Sequence, residues 1–144
     1  MIRSILAVAA GLVVLTLISF AIEMAVDPLL IRLFPAALPN GAALAGNLPA
    51  RLLMVAYTTL AIAAGGYVTA WIARRSQLIF AAIMGAIEVA FTLYVMVAAP
   101  FHEANPAPQW IWIPAVILMI PAACLGAAIW GKQAGRSRSS EASH

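Results

Sequence analysis

Glu88 is the residue of this chain best placed to carry chemistry, because it lies near the middle of the long apolar segment 77–99. An ionised carboxylate in a hydrocarbon environment would cost at least a few kcal/mol, and no lysine or arginine lies in mid-segment to neutralise it. Glu88 could stay neutral and hydrogen-bonded, or it could release a proton when a cationic ligand binds. We favour the neutral acid, because no proton pathway is visible in the sequence. Its candidate partners are Thr92 one turn further on, and Tyr57, Thr58 or Thr59 on another segment.

A second polar group lies in the first apolar segment. Thr16, Ser19 and Glu23 are spaced i, i+3, i+7 and therefore share one face of a helix. Lipid would leave this face without hydrogen-bond partners, so we expect it to point towards other helices.

Other chemistry has little support in the sequence. His102 and Glu103 resemble the start of an HExxH zinc motif, but position 106 is proline and no second histidine follows at the required spacing. The one cysteine, Cys124, lies in an apolar setting that is typical of an inert thiol. No nucleophile–base pair or phosphate-binding loop is visible. We therefore expect no metal, no cofactor and no enzymatic activity.

The hydropathy of the chain predicts the helices that must position these side chains. The 144-residue chain is 65% hydrophobic and 9% charged, with a mean hydropathy of +1.00, whereas soluble domains carry about 25% charged residues. Four apolar segments, at about 5–26, 52–73, 77–99 and 110–130, match the thickness of a bilayer. The prediction is an all-α integral membrane bundle of four transmembrane helices, forming one domain over 1–131. The basic, serine-rich segment 132–144 is predicted to be a disordered tail.

The first apolar segment is also predicted in detail. It is longer than the apolar core of a signal peptide and ends in Glu23 and Asp27 rather than in a cleavage site, so we expect an uncleaved helix. Asp27 and Pro28 are predicted to end this span, with 29–34 forming a short turn on the membrane surface.

Small residues indicate how the helices pack. Ala61, Gly65, Thr69 and Ala73 recur every four positions, a spacing that lets the backbones of two membrane helices touch. Gly66, Gly85 and Gly126 are predicted to be packing residues for the same reason.

Charge placement predicts orientation. Most basic residues lie on one side of the predicted membrane, namely Arg3, Arg74, Arg75, Lys132, Arg136 and Arg138, against Arg32 and Arg51 on the other. Both termini are therefore predicted to be cytoplasmic, with Arg74 and Arg75 in a cytoplasmic turn. Because these charges flank apolar segments, the formal net charge of +3 does not indicate nucleic-acid binding.

Several sequence segments resemble those of a widespread group of small, uncharacterised bacterial four-helix membrane proteins. They are MIRSILAVAAGLVV at the start, AIE around Glu23, AGGYVTAWIARR, and PAACLGAAIWG in the last segment. The chain departs from that group where Ala127 and Ala128 replace a glycine and a basic residue. The resemblance implies a bacterial cytoplasmic (inner) membrane and brings no activity. The chain resembles the small multidrug-resistance transporters less closely. Their essential glutamate lies in the first span, whereas here Glu23 lies near the outer end of that span and the deep carboxylate, Glu88, lies in the third.

Two functions follow as expectations. The first is a structural or accessory protein of the lipid bilayer that associates with itself or with a larger membrane protein. The alternative is a minimal proton-coupled small-molecule transporter that works as an oligomer.

Overall fold

Four long α-helices make up the computed structural model, which describes residues 2–38, 47–73, 76–98, 110 and 112–141. They are α1 (Ile2–Leu33), α2 (Leu48–Ala73), α3 (Gln77–Ala98) and α4 (Trp112–Glu141). All four are long and apolar enough to cross a membrane, and the described residues contain no strand. The predicted all-α bundle of four membrane-spanning helices is therefore confirmed. The predicted turn at Arg74 and Arg75 lies outside the described residues, as does the His102–Glu103 pair.

The first helix does not end where the sequence predicted. α1 continues through Pro28 to Leu33, so the separate surface turn at 29–34 is wrong. A proline inside a helix removes the hydrogen bond to the carbonyl four residues earlier and crowds that carbonyl, but a membrane-spanning helix can tolerate this and continue. The leucines that follow Pro28 are good helix formers and carry the helix onwards. At ~1.5 Å per residue, the 32 residues of α1 exceed the ~30 Å hydrocarbon core, so α1 must tilt or extend beyond that core.

The last helix also differs from its prediction. α4 runs to Glu141, so the segment 132–141, predicted to be disordered, is helical in the structure. Extending an existing helix adds one hydrogen bond per residue and avoids the unfavourable nucleation step. Pro114 falls in the first turn, where no helical hydrogen bond is lost, and only Pro121 lies inside the helix.

α2 is the central helix of the bundle. It packs against α1 on one side and α4 on another, while α3 packs mainly on α4. The core is built largely from small side chains and two methionines: Leu15, Ala61, Ile62, Ala70, Ala81, Met84, Met119, Ala122, Ala123 and Ala127. Large apolar side chains such as Phe20, Leu60 and Leu125 instead point outwards and are 61%, 70% and 63% exposed. Lipid tails would solvate these side chains as well as a protein core would.

Glycines mark the crossings of α2 with its two main neighbours. A side chain at Gly65 would place its Cβ 2.7 Å from the carbonyl oxygen of Gly11 on α1. A Cβ at Gly66 would overlap the backbone carbonyl of Ala123 on α4, and one at Gly126 would overlap that of Ala63. The two adjacent glycines of α2 therefore serve two different helices.

Polar contacts fix one end of the bundle. The Arg3 Nε donates a hydrogen bond to the carbonyl of Ile72 (3.0 Å) in the last turn of α2. Near that turn, the Tyr67 hydroxyl donates to Oε1 of Gln133 (2.7 Å), and its ring packs edge-on against Trp130 with 5.5 Å between ring centroids. The start of α1, the end of α2 and the end of the apolar part of α4 thus lie at the same end of the bundle.

Candidate functional site

Glu88 is half-buried on α3 and lines a cavity of about 200 Å³ between α2, α3 and α4. We call this space the Glu88 cavity. Its polar lining comes from Arg51, Thr58, Thr59, Glu88 and Thr92, and its apolar lining includes Met54, Phe91 and Met119. Of the predicted partners of Glu88, the cavity brings Thr58, Thr59 and Thr92 to it and leaves Tyr57 outside its lining.

The threonines of the Glu88 cavity do not bond to Glu88. The Thr59 Oγ1 donates to the carbonyl of Val55 (2.6 Å) on its own helix. The Thr92 Oγ1 donates to the Met119 Sδ (3.8 Å) on α4. The expected hydrogen bond from Thr92 to Glu88 is therefore not formed, because the Thr92 hydroxyl donates to the sulfur on α4 instead. Since a hydroxyl has one proton to donate, both oxygens keep lone pairs that can accept.

Arg51 is the residue of the site that sequence reasoning missed. Its position near the start of α2 suggested only a role in orientation, but the structure buries it to 8% exposure at the edge of the Glu88 cavity. One guanidinium nitrogen lies 3.6 Å from the Met54 Sδ. A signal was present in the sequence, because Arg51 and Thr59 are eight positions apart and so share one face of a helix.

A second polar region lies between α1 and α2. Glu23 and Asp27, one turn apart on α1, repel each other electrostatically, and the positive charge of Arg51 acts on Asp27. The Tyr57 hydroxyl interacts electrostatically with all three of these charges. It is buried with no hydrogen-bond partner among the described residues. We call these four residues the α1–α2 polar cluster. Arg51 therefore belongs both to this cluster and to the lining of the Glu88 cavity.

The predicted polar face of α1 points inwards only in part. Ser19 and Glu23 are half-buried, and the Ser19 hydroxyl is buried without a partner in the described part of the chain. Thr16 is exposed and donates to the carbonyl of Leu12 (2.9 Å), so its expected contact with another helix is wrong. A threonine can face lipid in this way because the helix backbone satisfies its hydroxyl.

The predicted packing residues lie at helix crossings. Ala61 and Thr69 are fully buried on α2, and the Thr69 Oγ1 donates to the carbonyl of Gly65 (2.9 Å). The same hydroxyl lies 3.4 Å from the Met84 Sδ of α3. Gly85 packs against α4, where a Cβ would lie 3.0 Å from the Cα of Ile120. Sequence reasoning missed Gly11, the partner of Gly65, although Ala7 and Gly11 lie four positions apart and are both buried on α1.

The described part of the chain holds no group of three or more histidine, cysteine or acidic side chains that could bind a metal ion. The Glu88 cavity instead combines one carboxyl, one arginine and several hydroxyls set among apolar helices. Together with four helices able to span a bilayer, this arrangement defines a multi-pass membrane protein. Comparison with known protein families, characterised proteins and solved structures finds no match. The resemblance to bacterial four-helix proteins therefore stays a prediction.

Proposed function

We propose that this protein is a structural or accessory component of the bacterial cytoplasmic membrane that associates with further membrane helices, either of its own copies or of a larger protein. The observation that carries the proposal is an apolar groove between α1 and α3, two helices that contact each other far less than either contacts its main neighbour. The groove has a volume of about 430 Å³ and is lined by side chains that include Val8, Leu12, Ile83 and Ile87.

Small residues flank this groove. Ala86 and Ala90 are exposed on α3, four positions apart, beside the groove residue Ile87. Such spacing lets a second helix approach closely, and the neighbouring groove can receive its larger side chains. α3 is also the least buried of the four spans, which leaves this surface open to a partner.

Site-specific cross-linking in native membranes tests the accessory role. A photo-reactive benzoylphenylalanine in place of Ile87 should give an adduct, at twice the 15.1 kDa mass for a second copy or at a larger mass for another protein. The matched control is the same replacement at Leu125, which is 63% exposed on α4 and lies outside the groove lining. Ala86→Leu should reduce the Ile87 adduct by blocking close approach. Equal labelling at both positions, or none at Ile87, would contradict the proposal.

The proposed orientation places both termini in the cytoplasm. It is supported by Arg3, in the first turn of α1, and by Lys132 and Arg136, in the polar last part of α4. These parts of α1 and α4 lie towards the end of the bundle where α2 ends. Arg32 and Arg51 belong to the opposite ends of their helices. Reporter fusions to the C-terminal tail should read cytoplasmic, and fusions within 35–49 and 100–108 should read external. If the reporter on the C-terminal tail reads external, the proposed orientation with both termini in the cytoplasm is wrong.

The Glu88 cavity favours one alternative, a minimal proton-coupled transporter working as an oligomer. A half-buried carboxylate beside a cavity can exchange a proton for a cationic substrate. Purified protein in vesicles should then take up cations in response to a proton gradient, and Glu88→Gln should abolish uptake. Vesicles that show no uptake with the unaltered protein would exclude this alternative.

A further inference from the structure

Three of the five polar residues that line the Glu88 cavity, Thr59, Glu88 and Thr92, present oxygens that can accept hydrogen bonds. Glu88 contributes a carboxyl, and Thr59 and Thr92 contribute oxygens whose protons are already donated to Val55 and Met119. The sulfurs of Met54 and Met119 are weak acceptors as well. These acceptors complement a ligand that carries N–H donors, and they offer little to an anion, which needs donors.

The positive charge next to the cavity is partly offset. Among the described residues, Arg51 is the positive side chain of the cavity lining, and its charge acts on Asp27 of α1 and on Tyr57. The carboxyl of Asp27 therefore offsets part of that charge. The carboxyl of Glu88 has no hydrogen bond to the cavity hydroxyls and is free to face a ligand.

The volume and the apolar lining of the cavity indicate how large and how apolar its ligand can be. A volume of about 200 Å³ corresponds to roughly six or seven water molecules in the liquid, enough for a small organic molecule. Phe91 adds an aromatic ring to the lining, and a ring within about 6 Å of a cation attracts it. From this combination we propose that the Glu88 cavity is a binding site for a small organic ammonium ion with an apolar body. The proposal concerns binding alone, so it goes beyond the accessory role and does not require that the ligand cross the membrane.

Calorimetric titration of the purified full-length protein in detergent tests this site. The probes are cyclohexylammonium, the neutral cyclohexanol and the anionic cyclohexanecarboxylate, which share one apolar ring. We expect saturable binding of cyclohexylammonium and none of the other two. Glu88→Gln should weaken that binding by about tenfold or more, because it removes a charge-assisted hydrogen bond. The matched control Glu141→Gln, which removes an acid at the last residue of α4, far along that helix from the lining residue Met119, should leave affinity unchanged.

A second pair of variants keeps the proposal testable if Glu88→Gln does not fold. Thr92→Val and Thr59→Val keep the shape of the side chain but remove an acceptor, and each should weaken cyclohexylammonium binding by a few-fold. Thr16→Val, at a lipid-facing threonine, should have no effect. The proposal is overturned if cyclohexanol binds as well as cyclohexylammonium, if Glu88→Gln binds like the unaltered protein, or if the cavity threonines behave like Thr16.

Discussion

Thr69 and Thr92 both place a hydroxyl against a methionine sulfur, at 3.4 Å from Met84 and 3.8 Å from Met119, but their surroundings differ. Thr69 is fully buried beside the contact between Gly11 and Gly65. Thr92 is partly exposed and lines the Glu88 cavity. The two threonines therefore lie in different parts of the bundle. We call the part around Gly11, Gly65 and Thr69 the packed half, and the part that lines the Glu88 cavity the cavity half.

The difference between the halves follows from residue size at the helix contacts. In the packed half, glycines let helix backbones touch, and a Cβ added at Gly65 or Gly66 would meet backbone atoms of another helix. In the cavity half, Arg51, Glu88 and Phe91 are too large or too polar for such contact, and the helices leave a space between them. The comparison suggests that the packed half maintains the fold while the cavity half is free to carry a site, and substitutions can test that division.

The largest effect is expected at Gly65. Gly65→Leu would push a bulky side chain into the backbone of α1, whose Gly11 oxygen lies 2.7 Å from the Cβ position. We expect destabilisation by about 4 kcal/mol or more, and a fall in the thermal midpoint in detergent of roughly 10 °C. Leu60→Ala is the control, since Leu60 is 70% exposed on another face of α2. If the two variants melt alike, the packed half does not depend on this crossing.

A smaller change at the crossing of α2 and α4 should still be costly. Gly126→Ala adds one methyl group where it would overlap the backbone carbonyl of Ala63, and we expect a loss of about 2–3 kcal/mol. Gly135→Ala makes the same substitution on the same helix, with nothing within 4 Å of the added Cβ. That control should be neutral or more stable by up to ~1 kcal/mol, because alanine favours helix over glycine. Chemical or thermal unfolding of both variants decides the point, and a stable Gly126→Ala would show that α2 and α4 are less close than described.

The smallest effects come from the threonine pair and sharpen the comparison most directly. Thr69→Val should cost about 1–2 kcal/mol, because it removes a buried hydrogen bond to the Gly65 carbonyl. Thr92→Val should change stability by no more than ~0.5 kcal/mol, because the cavity tolerates the exchange. Equal losses in unfolding free energy would mean that the cavity half is packed as tightly as the packed half.

Much of the fold could be predicted from the sequence, because hydropathy and small-residue spacing are local signals. The four spans follow from runs of apolar residues, and the faces that include Gly65 and Gly85 follow from helical periodicity. The neighbour of each face could not be predicted, since pairing depends on residues far apart in the chain. Gly65 meets Gly11, while Gly66 meets Ala123.

The candidate site was less predictable for the same reason. Glu88 stood out by its depth in an apolar segment, but the inclusion of Arg51 depends on how α2 and α3 lie side by side. Its charge suggested an interfacial residue, and only the tertiary structure shows it buried and shared by the two polar regions. The prediction that α1 ends at Pro28 was wrong for a different reason. Proline ends most helices of soluble proteins, but a long membrane helix can accommodate it.

The two adjacent glycines of α2 also impose an order on how the chain can assemble during synthesis. The contact between Gly65 and Gly11 can form once α1 and α2 are both inserted. The partner of Gly66, Ala123, leaves the ribosome only roughly 60 residues later, a delay of several seconds at ~5–20 residues per second. During that interval one face of α2 is paired and the other contacts lipid. The α1–α2 hairpin is therefore a membrane intermediate whose open glycine face awaits the last helix.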